Sequence, residues 1–189
     1  NWLLGRNGSG LDSLQGLNVD GNWYVNVASS TYTEGVTSFV LDFAYIDTLI
    51  GEGGADTFAF EDAIVLAGEI DGGTGTDSLD YSRFSSARSV SLSSLGSKDG
   101  FAGMEANGSL GGSFDNIDDL VGGSAVDSLT TLDALSQFTI DQSNGGSYTS
   151  TNTLTFSSFD SLLAGSQADI FNFVGAGTLA ISINAGGGS

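Results

Sequence analysis

The chain has 189 residues, of which 23 are acidic and four basic, giving a formal charge of -19 at pH 7. Nucleic acid and anionic membrane surfaces are poor partners, because binding them needs Lys and Arg to neutralise phosphate. Cations are the natural partners. The absence of Cys and His excludes thiol nucleophiles, disulfides, Cys/His zinc sites and Ser-His-Asp triads, so we expect no enzyme.

The size of the chain is that of a single domain. No apolar run approaches the roughly 20 residues that a membrane helix needs. The first residues lack the pattern of a signal peptide. We therefore expect a mature piece or a fragment of a longer protein, without membrane insertion.

Short segments that alternate apolar and polar residues follow one another along the chain. They are rich in Val, Ile, Phe, Tyr and Thr and predict half-buried β-strands. The segments are 23–27, 38–43, 58–60, 89–92, 138–140, 153–156, 171–174 and 179–183. Residues 61–69 and 129–138 are the candidates for helices, but the surrounding strand pattern outweighs them.

One frame of residues recurs in 45–60, 116–131 and 158–173. In each copy an Asp follows an apolar or aromatic residue, and a second Asp falls nine residues later. The pairs are Asp47/Asp56, Asp118/Asp127 and Asp160/Asp169. The copies start 71 and then 42 residues apart, which predicts extra turns or loops between the first and the second.

The repeats divide the chain into an N-terminal flank or cap (1–21), a first repeat unit (22–92), an inserted Gly/Ser-rich loop (93–112), and repeat units 2 and 3 (113–189), the last of them truncated. Short strands separated by glycine-rich turns at this spacing predict an all-β chain. We expect a β-solenoid resembling a parallel β-helix, with a β-sandwich as the alternative.

One turn fits the calcium-binding nonapeptide GGxGxDxUx at every specified position, in residues 72–80. Gly72, Gly73 and Gly75 admit the positive φ that lets backbone carbonyls converge. Asp77 supplies a hard anionic oxygen of the kind that calcium prefers.

The candidate calcium site consists of Asp77 and this turn, with Asp71 and Asp56 as neighbours. The other turns are degenerate versions of the motif, in which Asp56, Asp127 and Asp169 take the place of Asp77. The alternative is that these turn aspartates hydrogen-bond the backbone of their own turns, as Asp commonly does.

The motifs resemble repeats of large secreted bacterial surface proteins, the RTX-like and filamentous-haemagglutinin-like adhesins. Phe43 to Phe58 and Ile70 to Ser82 carry the resemblance, and Phe114 to Leu129 and Phe156 to Phe171 carry it more faintly. It implies secretion to the medium or the bacterial cell surface and an adhesive or structural role. RTX nonapeptides run in tandem, whereas this chain has one complete copy, which predicts weak calcium binding at about millimolar affinity.

The expected function is a non-enzymatic structural or adhesive domain that associates end to end with itself, or with neighbouring repeats of the same protein. The alternative is a carbohydrate-binding module for cell-surface glycans. Its candidate stacking residues are Trp2, Trp23, Tyr24, Tyr32, Tyr45 and Tyr81. Acidic pairs such as Glu61-Asp62 would serve a glycosidase only across a cleft, for which the sequence gives no signal.

Overall fold

A computed structural model describes residues 2–5 and 10–187 of the chain. Every helix or strand assigned among them is a β-strand, which confirms the all-β prediction. The strands, numbered in chain order, are β1 (Trp2–Leu4), β2 (Ser13–Gln15), β3 (Gly21–Val25), β4 (Ser30–Glu34), β5 (Val40–Ala44), β6 (Thr48–Ile50), β7 (Asp56–Phe60), β8 (Ile70–Asp71), β9 (Ser78–Asp80), β10 (Ser89–Leu95), β11 (Phe101–Glu105), β12 (Ser113–Ile117), β13 (Asp119–Val121), β14 (Ser128–Thr130), β15 (Ser136–Gln142), β16 (Gly145–Thr149), β17 (Thr153–Ser157), β18 (Ser161–Leu163), β19 (Asp169–Phe173) and β20 (Ser182–Asn184). Within the described ranges, no helix has the length and apolar character to cross a membrane.

Within the described residues, the strands form two mixed sheets that do not close into a barrel. The first sheet has 11 strands in the order β1-β5-β4-β3-β7-β9-β13-β17-β16-β15-β19. The second has nine strands in the order β2-β6-β8-β12-β11-β10-β14-β18-β20. The chain thus crosses repeatedly from one sheet to the other.

Most neighbouring strands that come from different passes of the chain are parallel, as in β7–β9 and β14–β18. Where one single strand of the other sheet separates two paired strands in the sequence, partner residues on the paired strands are 21 positions apart. Examples are Asp56 and Asp77, and Ser161 and Ser182. Parallel strands need such a crossover, because a two-residue hairpin joins only antiparallel ones.

Three antiparallel meanders interrupt this regular pattern: β3–β4–β5, β10–β11–β12 and β15–β16–β17. Within its sheet, each meander progresses in the direction opposite to that of the chain as a whole. Its first strand pairs with a later pass (β7, β14 or β19), and its last strand pairs with an earlier one (β1, β8 or β13). The meanders lie in the first, second and first sheet in turn.

The repeat frame of the sequence marks the exit from each meander. Asp47, Asp118 and Asp160 directly precede the short strands β6, β13 and β18, which follow the three meanders. Between the first and second meanders the chain adds β8 and β9, which accounts for most of the longer first spacing. The segment 93–112, expected to be a loop, differs from that expectation because it contains β11, the middle strand of the second meander.

Alternating side chains from both sheets form one hydrophobic core. In β7, Asp56, Phe58 and Phe60 point inward and are buried, while the residues between them are half-buried. Trp23 of β3 stacks on Phe58 with ring centroids 5.6 Å apart. Near the other end of the same sheet, Phe138 stacks on Phe171 with ring centroids 4.4 Å apart.

Candidate metal centre

The nonapeptide turn connects β8 to β9. A segment that carries the chain from one sheet to the other is called a crossing, and two other crossings lie against this turn on the same side of the fold. Gly73 and Gly75 have φ of +103° and +136°, which only glycine adopts readily. Gly72 is needed for space, since a Cβ there would clash with the backbone carbonyl of Asn116. The predicted role of the glycines in shaping this turn is therefore visible, with positive φ at two of the three.

Three aspartates from successive crossings form a column beside this turn. The backbone N–H of Asp56 donates to Asp77 Oδ1 at 2.8 Å, and the N–H of Asp77 donates to Asp118 Oδ2 at 3.1 Å. The amide N–H groups of Asp118 and Asp119 in turn donate to the carbonyl of Asp77, at 2.8 and 3.0 Å. Each aspartate thus ties its own crossing to the next one.

Asp99 joins this column from the side. It lies in the connection between β10 and β11, where its Oδ2 accepts a hydrogen bond from the N–H of Gly75 at 3.1 Å. Asp77, Asp99 and Asp118 each place one carboxylate oxygen within 4.8 Å of the others, an arrangement that could hold a metal ion. We refer to these three residues as the carboxylate cluster.

The carboxylate cluster concentrates negative charge on one buried residue, Asp77, and two half-buried residues, Asp99 and Asp118. Burial raises the pKa of Asp77 to about 6, and the charges of Asp118, Asp99 and Asp71 act in the same direction. Burial also raises the pKa of Asp118, together with the charges of Asp99 and Asp119. The site therefore disfavours its own ionised form, and a cation would offset this.

The connection that carries Asp99 is organised by a buried amide. Asn116 Oδ1 accepts hydrogen bonds from the N–H groups of Lys98 and Asp99 at 2.8 and 3.3 Å. Asn116 Nδ2 donates to Asp71 Oδ1 at 2.7 Å, and Lys98 Nζ lies 3.3 Å from Asp71 Oδ2. Asp71 therefore has its own cationic and amide partners, apart from the carboxylate cluster.

The structure places one of the predicted calcium ligands in the carboxylate cluster and the others outside it. Asp77 is in the cluster, whereas Asp56 lies one crossing away, where its Oδ1 accepts from Trp23 Nε1 at 3.2 Å. Sequence reasoning missed Asp99, which belongs to no repeat. It identified Asp118 as part of the recurring frame, without a ligand role.

The remaining turn aspartates form other contacts. Asp127 Oδ2 accepts from the N–H of Gly123 in its own turn at 2.5 Å, while its Oδ1 accepts from the N–H of Arg88 at 2.6 Å. Asp169 Oδ1 accepts from the hydroxyl of Ser136 at 2.5 Å. The expected bond to its own turn is thus present at Asp127, but Asp77 bonds a neighbouring crossing instead.

Three of the six candidate glycan-stacking aromatics lie inside the protein. Trp23, Tyr32 and Tyr81 are buried in the core. Tyr24 is half-buried beneath the guanidinium of Arg83, 4.8 Å from its ring centroid. Tyr45 is 60% exposed, and the side chain of Trp2 lies outside the described residues. Three of these residues thus have no ring face to offer a ligand.

Comparisons with protein families, with curated proteins and with solved structures found no match to this chain.

Proposed function

We propose that the chain is a section of a non-enzymatic β-solenoid that serves as a structural or adhesive element of a secreted or cell-surface bacterial protein. A coil is one run of the chain through both sheets. Coils would stack on further coils, either from the same protein or from a second copy. The alternation of the chain between two sheets and the 21-residue spacing of parallel partners support a solenoid over a sandwich.

The observation that carries the stacking proposal is the exposure of core positions at both ends of the sheets. Ile140 of β15 is completely buried, but its partner Phe173 on the outermost strand β19 is 54% exposed. At the other end, Phe43 of β5 is 1% exposed and its partner Leu3 on β1 is 38% exposed. One further coil at each end would bury these side chains.

The unpaired backbone of the outer strands supports the same proposal. Among the described strands, β1 and β2 at one end, and β19 and β20 at the other, have a neighbour on one side only. Their free N–H and C=O groups can pair with another strand. In repeat proteins each unit is stabilised largely by its neighbours, so a further coil would supply both hydrogen bonds and apolar contact.

The test is the association state of the chain and of two variants, measured by sedimentation velocity and negative-stain electron microscopy. We expect the chain to form end-to-end oligomers that Phe173→Ser weakens. Val126→Ser is the matched control, because Val126 is 55% exposed but lies in the connection between β13 and β14, away from both ends. A monomer at every soluble concentration, or an equal effect of both variants, would contradict stacking between copies.

A further inference from the structure

The carboxylate cluster brings together three connections that are distant in the sequence. Asp77 ends the β8–β9 turn, Asp99 lies in the β10–β11 connection, and Asp118 is the link between β12 and β13. The backbone hydrogen bonds to Asp77 and Asp118 hold these two side chains in place. The third side chain is held by Gly75. The cluster is therefore built by the fold.

Two oxygens of the cluster residues are buried and lack a hydrogen-bond partner. Asp77 has no exposed surface, and its Oδ2 is unpartnered although its Oδ1 accepts from Asp56. Asp99 Oδ1 is also buried and unpartnered. A buried carboxylate oxygen without a donor or a counter-ion is strongly unfavourable. These two carboxylate oxygens are therefore available as ligands for a cation.

The basic side chains near the cluster do not supply a counter-ion to these oxygens. Among the described residues the salt bridges are Lys98–Asp71 and Arg88–Glu105, and neither uses a carboxylate of the cluster. Lys98 is anchored on Asp71 beside Asn116. Within the part of the chain that the structure describes, no ion pair thus offsets the negative charge of the three carboxylates.

We propose that Asp77, Asp99 and Asp118 bind one divalent cation, calcium. Hard carboxylate oxygens are its preferred ligands, and calcium takes six to eight oxygens in flexible geometry, so carbonyls or water complete its shell. Magnesium fits less well because it demands near-ideal octahedral geometry and dehydrates reluctantly. This ligand set replaces Asp71 and Asp56 of the sequence-derived site.

The ion has a structural consequence specific to this chain. Asp99 belongs to the second meander and not to the nonapeptide, so the ion ties the tip of that meander to the turn at Gly75. A single nonapeptide copy then suffices, since a neighbouring connection supplies the carboxylate that a tandem copy would otherwise provide. This inference does not depend on the proposed stacking function.

The experiment is a calcium titration of the whole chain by isothermal calorimetry after treatment with chelator, with a parallel titration of magnesium. We expect one calcium ion per chain and a dissociation constant no weaker than about 1 mM, as for other extracellular sites. Calcium should also raise the melting temperature. No binding at about 10 mM calcium, or magnesium binding as tight as calcium binding, would overturn the proposal.

Asp99→Asn is the decisive variant. Its amide oxygen can still accept from the N–H of Gly75, so the fold should survive, while the lost charge should weaken calcium binding at least about tenfold. Asp127→Asn is the control, because Asp127 is a buried turn aspartate whose two oxygens both have donors. Unchanged binding in Asp99→Asn, or equal weakening in both variants, would refute the assigned site.

Asp56→Asn separates the two ligand sets. We expect it to bind calcium like the parent chain, because Asp56 lies outside the carboxylate cluster. If Asp56→Asn loses binding and Asp99→Asn keeps it, the ion lies between the β6–β7 and β8–β9 turns and our assignment is wrong. Circular dichroism in chelator confirms that each variant is folded before titration.

Discussion

The buried carboxylate of Asp56 makes the stability of the fold depend on pH below neutrality. Asp56 has no exposed surface, and its Oδ2 has no hydrogen-bond partner. Burial, aided by the charges of Asp77 and Asp20, raises its pKa from 3.8 to about 7, against the opposing effect of the hydrogen bond from Trp23. The folded chain therefore holds a proton that the unfolded chain releases at lower pH.

The sign and size of the effect follow from this difference. Between about pH 4 and pH 7 the folded state binds more protons than the unfolded state, so the free energy of unfolding falls as the pH rises. Above the folded pKa it levels off. A pKa raised from 3.8 to about 7 corresponds to at most about 4 kcal/mol, of which about 3 kcal/mol falls between pH 5 and pH 8.

The assay is urea unfolding at about pH 5 and about pH 8 in chelator at constant ionic strength, for the parent chain and for Asp56→Asn. Asn cannot titrate, but its oxygen can still accept from Trp23. From the lower to the higher pH, we expect the free energy of unfolding of the parent to fall by about 3 kcal/mol more than that of the variant. Equal pH dependence in the two proteins, or a parent chain that gains stability as the pH rises, would refute the reasoning.

Two further substitutions test the core. Glu105→Ala should lower the free energy of unfolding by about 3 to 5 kcal/mol, because it leaves Arg88, its buried partner at 3.6 Å, without a counter-ion; a loss under about 1 kcal/mol in urea unfolding would contradict this. Phe138→Ala removes a completely buried ring stacked on Phe171 and should cost about 3 to 5 kcal/mol. Val126→Ala, at an exposed position, should change stability by less than about 0.5 kcal/mol and is the control for both.

Alternation predicted segments that overlap eight of the 20 described strands, but it predicted neither the other strands nor the meanders. Alternation places Trp23, Phe58 and Phe138 inward, and it is the same whether a strand pairs parallel or antiparallel. The middle strands β4 and β16 are rich in Gly, Ser and Thr, residues that also form turns, and β11 lies between two segments that contain Gly and Ser. Sequence alone therefore could not distinguish an added strand from an inserted loop.

The candidate site was half predictable for a related reason. Asp77 lies in a local motif whose glycines and carboxylate follow directly from turn geometry. Asp99 reaches the cluster through the pairing of β10 with β11 and the buried amide of Asn116, which no local spacing encodes. Trp23 was a candidate for a glycan surface, but its place opposite Phe58 in the parallel pair β3–β7 makes it part of the core.

The alternation of the meanders between the sheets keeps the two sheets similar in width. A meander contributes three strands to its sheet, two more than a single strand would, and these two widen the sheet by about 10 Å. Three meanders in one sheet would widen it by about 30 Å relative to its partner, and many core side chains would lose their facing residues. The chain avoids this because an even number of single strands separates successive meanders: β6 to β9 before the second, and β13 and β14 before the third. The sheets consequently contain 11 and nine strands. The extra pair β8 and β9, which carries the nonapeptide turn, places one strand in each sheet over 21 residues and so leaves this alternation intact.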